Sequence, residues 1–269
     1  MFKKVMIVAA LISLVLAPAV AQGPGNNQNW MGSGSQNGNG FGQGPGQGNG
    51  NMSGTKPRMG SGNGMGSRFD GGMASLLLSL PTEDISPDEK IGLTFMREEE
   101  KLARDVYLTL FETWKLPIFS NIARSEQRHM EAIKVLLEKY SLQDPVTDDT
   151  VGVFFNPELQ DLYFQLVQAG HVSLVEALWI GATIEDLDIL DLKKYLSTAD
   201  NTDIKVLYQN LMKGSRNHLR SFVSQLNING TSYMAQYLSQ EEVDAIIISP
   251  MERGMVDENG DPLYGSTGW

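Results

Sequence analysis

The chain has 269 residues, no cysteine, three histidines and a formal net charge of −11. Without thiolates it holds no cysteine-ligated zinc, no iron–sulfur cluster and no rubredoxin-type iron within the chain, and it takes no stability from disulfides. The acidic balance opposes nucleic-acid binding, which needs a basic face, and suits cations as ligands.

Residues 1–21 read as a secretory signal. Lys3 and Lys4 precede an apolar run from Val5 to Leu16, and Ala19-Val20-Ala21 has the small-x-small cleavage pattern. The run is shorter than the roughly 20 residues of a membrane span, and no later segment is long and apolar enough for one. The expectation is an exported, extracellular or cell-envelope protein with no membrane span after signal cleavage, retention of the signal as an anchor being the alternative. Residues 22–72 are dominated by Gly, Asn, Gln, Ser and Met. Such a segment cannot bury enough apolar surface to offset its ordering entropy, so it reads as a disordered tether.

From residue 73 the composition becomes that of a packed helical domain, expected over 73–228. Leu76 to Leu80 form a short apolar turn or helix. Ser86-Pro87-Asp88-Glu89 is an N-cap, a first-turn proline and first-turn acid. The helix it opens runs to about Trp114 with the stripe Leu93, Met96, Glu100, Ala103, Tyr107 and Leu110. A second helix, from about Ile118 to Tyr140, has the stripe Phe119, Ile122, Glu126, His129, Ile133 and Leu136. A crossover follows, and Asn156-Pro157 starts an extra short helix that ends near Gly170. Ser173 caps a helix running to about Ala199, with Leu174, Leu178, Gly181, Glu185, Asp188 and Leu192 on one face. Residues 203–226 form the last long helix, with Leu207, Leu211, Gly214, His218 and Phe222 in register. The C-terminal extension, 229–269, carries one short helix announced by the capping box Ser239-Gln-Glu-Glu242, then a loosely ordered tail. No strand alternation and no repeat of 20–50 residues is evident.

Each of the four long helices places a carboxylate or an imidazole inside its apolar stripe. Such groups are costly in a core unless satisfied, and four-helix bundles use this arrangement to hold one or two metal ions. Glu126 and His129, three apart, share one face. Carboxylate and imidazole together suit iron(II), manganese(II) or zinc. The bland alternative is a metal-free polar layer in which Glu126 and Glu185 pair with His129, His218 or an arginine such as Arg104 or Arg128. Glu98 and Glu99 fall off the stripe and are expected to be solvated, as is His171 in a turn. Asp257-Glu-Asn-Gly-Asp261 lacks the terminal bidentate Glu of a calcium loop and reads as a turn.

The run Glu100-Lys-Leu-Ala103-Arg104-Asp-Val-Tyr107 resembles the first-helix motif of rubrerythrins, and Ser125-Glu126-Gln-Arg-His129 resembles their second-helix Glu-x-x-His. Residues 86–226 look like the ferritin-like superfamily. Within it, residues 99–107, Gly181-Ala-Thr-Ile-Glu185-Asp-Leu-Asp188 and Gly214-Ser-Arg-Asn-His218-Leu-Arg-Ser-Phe222 resemble the DUF2202 family. The resemblance implies an all-α, ferritin-like four-helix bundle. Glu100, Glu126 as a bridge, His129, Glu185 and His218 would be metal ligands, with Ser215 beside them; Tyr107, on the same stripe as Glu100, reads as core packing, a hydrogen bond to a ligand carboxylate being the alternative. One position departs from the pattern: Ser215 stands where rubrerythrins carry a second bridging Glu, and Asp188 is the candidate replacement. The implied cofactor is one or two ions of iron or manganese, zinc being an alternative. The implied activity is peroxide reduction or iron(II) oxidation, with an external electron donor and a homodimer as candidate partners. A non-enzymatic metal-binding module and a metal-free structural bundle are the competing functions.

Overall fold

The computed structural model describes residues 66–263, with side chains from 72 onward. The expected signal and most of the expected tether lie outside the described residues. Among the described residues seven helices follow one another: α1 Gly66–Ser79, α2 Pro87–Trp114, α3 Pro117–Lys139, α4 Pro157–Gly170, α5 Leu174–Leu196, α6 Thr202–Ile228 and α7 Gln240–Ile248. No strand occurs among the described residues, only an isolated bridge between Val256 and Pro262. The fold is an all-α helical bundle. Helix α1 begins at Gly66, inside the stretch expected to be tether, and buries Met73 and Leu77 where it packs on α3 and α6.

Helices α2, α3, α6 and α5 form a closed ring in that order, each packed on its two neighbours. Their inward stripes meet in one core that includes Leu93, Met96, Phe119, Ile133, Leu192 and Phe222, all fully buried. The α2–α3 turn is two residues long. Lys115 takes a left-handed conformation (φ 51°) and its N–H closes on the Phe111 carbonyl; Pro117 then opens α3. The α3–α5 connection is long, and α4 fills it by packing on α2 and α5. Trp114 donates its indole N–H to the Gly170 carbonyl at 2.8 Å, and Gly170 has no room for a side chain because Leu110 lies against it.

Polar latches at the ends set the register of these helices. Ser86 and Glu89 form the expected capping box. The second oxygen of Glu89 accepts from the backbone N–H groups of Asp200 and Asn201, so the cap of α2 also grips the α5–α6 turn. At the other helix pair, Asp203 in the first turn of α6 accepts from Lys139 at 2.6 Å and from the Tyr140 hydroxyl at 2.8 Å. Buried Asp105 receives Lys101, Arg104 and the Gly152 N–H, which pins the crossover to α2.

The C-terminal residues depart from expectation. Instead of a loose tail, 249–263 is held along α6. Arg216 and Arg220 both reach Glu252, Asn217 exchanges hydrogen bonds with the Glu252 backbone, and Asn210 bonds both the N–H and the carbonyl of Val256. Few apolar residues announce this docking, because the contact is made by polar side chains on α6 reading a backbone. The Asp257–Asp261 segment is the expected turn, with Asp257 accepting from Asn259 and Asp261.

Arg220 also donates to the Ile246 carbonyl and to Ser249, and is only 7% exposed. Arg220→Ala strands these acceptors and should cost about 2 kcal/mol. Thermal denaturation should show a Tm lower by about 5 °C, with helix content retained at low temperature.

Candidate metal centre

Halfway along the ring, all four helices turn a ligand-type side chain into the same space. Glu100 comes from α2, Glu126 and His129 from α3, Glu185 and Asp188 from α5, and His218 from α6; all are buried. Glu126 is central. Its Oε2 lies 2.7 Å from Nδ1 of His129 and its Oε1 lies 2.9 Å from Nδ1 of His218. His129 Nδ1 also has Glu100 Oε2 at 3.2 Å, and His218 Nδ1 has Glu185 Oε2 at 3.3 Å. The imidazole rings face one another with centroids 5.6 Å apart and planes inclined by 28°. Two ligand sets result, Glu100/Glu126/His129 and Glu126/Glu185/His218, each with its donor atoms within 4.8 Å of one another and with Glu126 common to both.

This geometry overloads the nitrogens. An Nδ1 atom carries at most one hydrogen, yet each faces two carboxylate oxygens. Glu100 Oε1 and Asp188 Oδ1 are buried and have no hydrogen-bond donor, and Glu126 Oε1 has only the poorly directed Nδ1 of His218. A cation between each imidazole and its carboxylates would relieve both nitrogens and serve the carboxylates of the two sets, so the donor set fits a pair of metal ions. Three carboxylates and two imidazoles are oxygen and nitrogen donors of the type iron(II), manganese(II) and zinc accept.

Electrostatics single out the same carboxylate. Burial pushes every acid here upward, and Glu100 reaches about 8 despite the pull of His129. Glu185 and Asp188 are also raised, burial again being the largest cause. Glu126 alone goes the other way: His218 and His129 outweigh its burial and hold it well below the usual carboxylate range. His129, which burial alone would keep neutral, is lifted to about 10 by Glu100 and Glu126. His218 is raised in the same sense by Glu126 and Glu185. Without metal, protons occupy the places that cations would take.

The supporting residues are equally specific. The Tyr107 hydroxyl donates to Glu185 Oε1 at 2.6 Å and reaches the Gly181 carbonyl at 3.3 Å. Burial and the facing carboxylates raise Tyr107 well above its ordinary value, so it remains a donor. Ser215 donates to Asp188 Oδ2. Asp188 belongs to neither three-donor set, but Glu100 and Glu185 both act on it. Gly214 and Gly181 provide clearance. A Cβ at Gly214 would sit 2.6 Å from Cε1 and Nε2 of His129, and one at Gly181 would sit 2.4 Å from the Phe222 ring.

Several sequence expectations require correction. Arg104 does not neutralise the site; it turns to Asp105, Gln127 and Asp149 at the crossover. Glu98 and Glu99 are half-buried, not solvated, because the C-terminal residues and the crossover add surfaces beyond the four-helix stripe. His171 is exposed, as expected. Sequence reading gave the two glycines a place in the stripes but not their function as clearance for ring side chains.

Residues 89–250 match the family described as an uncharacterized protein domain, DUF2202. The chain belongs to the DUF2202 family. It is 60% identical over 183 residues to the uncharacterized protein MJ0754 of Methanocaldococcus jannaschii, a match covering 68% of this chain and 99% of that protein. The crystal structure of hypothetical protein MJ0754 superimposes with a TM-score of 0.64 at 60% identity, over 65% of this chain and 99% of that one. Among the described residues of this DUF2202 protein no helix is long and apolar enough to cross a membrane.

Two measurements on the metal-free protein follow from this geometry. Above pH 4.5 the unfolded chain has lost the proton that Glu100 keeps to about pH 8, and above pH 6.5 it has lost the one that His129 keeps to about pH 10. Stability therefore falls as pH rises through this window, and thermal denaturation should give a Tm lower by about 5 °C near pH 9 than near pH 6. Gly214→Ala should gain about 1 kcal/mol from helix propensity alone. With His129 held in place it should instead lose about 1 kcal/mol or more by overpacking, as read by chemical denaturation.

Proposed function

We propose that this protein holds two divalent transition-metal ions at Glu100, Glu126, His129, Glu185 and His218, and that it is a ferritin-like oxidoreductase acting on peroxide or on iron(II). The observation that carries the reading is the division of Glu126, one oxygen toward each imidazole, between two otherwise separate ligand sets. Iron or manganese in such a place supplies electron transfer to or from dioxygen, peroxide or a further iron(II), which zinc cannot. The reading of residues 1–21 as an export signal supports a site for this chemistry outside the cytoplasm, in the cell envelope or beyond. With no cysteine in the chain, electrons for repeated turnover come from an external donor.

The chain's own residues divide the work. Glu126 sets the spacing of the two sets. Glu100 and Glu185 close the two ends, and Tyr107 fixes the rotamer of Glu185 through its hydroxyl. Phe222, packed against Tyr107 and Phe119, shields that side from water. Asp188, restrained by Ser215, is the carboxylate available to complete the site on α5 where a second Glu on α6 is lacking.

Elemental analysis of tag-free protein, followed by iron(II) and manganese(II) titration of the chelator-treated chain, should give two ions per chain. Glu126→Ala should weaken binding of both by more than about 100-fold, beyond the 10–100-fold typical of an outer partner, while the helical spectrum persists. Tyr107→Phe should weaken it only about 10-fold. A wild-type chain that takes up no metal under these conditions would make the cluster a protonated structural network. Two ions bound without peroxide turnover or iron(II) oxidation would leave a metal-binding module.

A further inference from the structure

The imidazoles of His129 and His218 have a second side. Their Nδ1 atoms face the carboxylates, and their opposite edges border a cleft of about 690 Å³ between α3, α6 and residues 252–254. His129 presents Cε1 and Nε2 there beside Gly214. An imidazole that uses Nδ1 toward a cation carries its hydrogen on Nε2, and such an outer N–H ordinarily donates to a carboxylate, a carbonyl or water. Among the described residues neither Nε2 has a protein acceptor; the hydrogen bonds of both rings are made through Nδ1.

The cleft walls have the charge that an acceptor would need. Arg124, Arg128, Lys213 and Arg253 all line it, in a protein whose net charge is −11. Lys213 is 5% exposed and is fixed by Asn210 and the Gly254 carbonyl. Burial brings its ammonium down to about 8, which leaves it charged at neutral pH. Two acids also line the cleft. Glu252 is already neutralised by Arg216 and Arg220, and Glu131 accepts from Gln127 at the exposed rim. A low-dielectric wall carrying excess positive charge concentrates anions, and the volume falls in the range of small-molecule sites.

We propose that this cleft is an anion site that takes the oxyanion group of a small molecule between Lys213 and Arg253, against the outer N–H groups of His129 and His218. The bound oxyanion accepts from both rings, so its occupancy is coupled to whatever the inner nitrogens hold. With metal inside, the rings donate more strongly and the field beneath the cleft is less negative, so anion and metal favour one another reciprocally.

Calorimetric titration of the full chain with inorganic phosphate and with malonate, at ionic strength fixed with chloride, tests this. At least one should bind at a single site with a Kd of about 1 mM or tighter, and the tighter of the two tells a phosphoryl from a carboxylate ligand. The ¹⁵N resonances of the His129 and His218 Nε2 atoms should move on titration. Arg253→Gln, at an exposed wall position outside the ligand sets, should weaken binding about 10-fold without altering Tm, and manganese(II) loading should tighten it by a similar factor. Absence of binding by both probes, or binding that neither shifts the Nε2 resonances nor responds to Arg253→Gln, would overturn the proposal. Metal uptake without anion binding rejects the cleft alone; anion binding by a chain that takes no metal upholds the cleft and rejects the metal pair.

Discussion

One carboxylate shared between two imidazoles is the constraint around which this bundle is arranged. Glu126 and His129 are one turn apart on α3, so their relation is fixed by helical geometry alone. His218 is not: it stands on α6, and its Nδ1 comes within 2.9 Å of Glu126 only if α3 and α6 are in correct register. The same holds for Glu100 on α2 and Glu185 on α5. A slip of one residue along any of the four axes shifts a donor by about 1.5 Å and swings it about 100° around its helix. Apolar stripes tolerate such slips better than this cluster does, because hydrophobic contact is non-directional.

The polar latches meet that demand. Glu89, Asp203 and Asp105 are all buried, and each joins elements distant in sequence. A buried ion pair is a poor source of net stability, since desolvation offsets most of its attraction, but it strongly disfavours arrangements in which it is unmade. Two latches share one end of the ring, Glu89 tying α2 to the α5–α6 turn and Asp203 tying the end of α3 to the start of α6, while Asp105 ties α2 to the crossover on the far side of Glu100. Held at that end and at the crossover, the ring has little freedom at its centre, where the ligand-type groups lie.

The fold and much of the candidate site were legible in the sequence because both depend on local periodicity. Caps at Ser86, Asn156, Ser173 and Ser239 marked helix starts within a residue or two, and a charged group inside an apolar stripe marked Glu100, Glu126, Glu185 and His218. The same method did not reach what depends on backbone recognition. The docking of 249–263 is made by Asn210, Asn217 and Arg220, residues that look like solvated polar positions until a partner backbone lies beside them. The cleft and its cations were illegible for a related reason: Lys213 and Arg253 are distant in sequence, and only the docked C-terminal segment brings them together.

The glycines lie between these cases. Gly181 and Gly214 each stand four residues before a ligand-type residue, Glu185 and His218, and each lies within a long helix, where glycine costs about 1 kcal/mol relative to alanine. That penalty requires a compensating feature, and in both places it is a ring: Phe222 against Gly181 and His129 against Gly214. The first lets the aromatic shield reach Tyr107, and through it Glu185. The second lets the Cε1–Nε2 edge of the α3 imidazole approach the backbone of α6, while its Nδ1 faces Glu126. A helix that gives up local stability at the one position where the inner carboxylates and the outer cleft approach the same imidazole is shaped for what that imidazole joins.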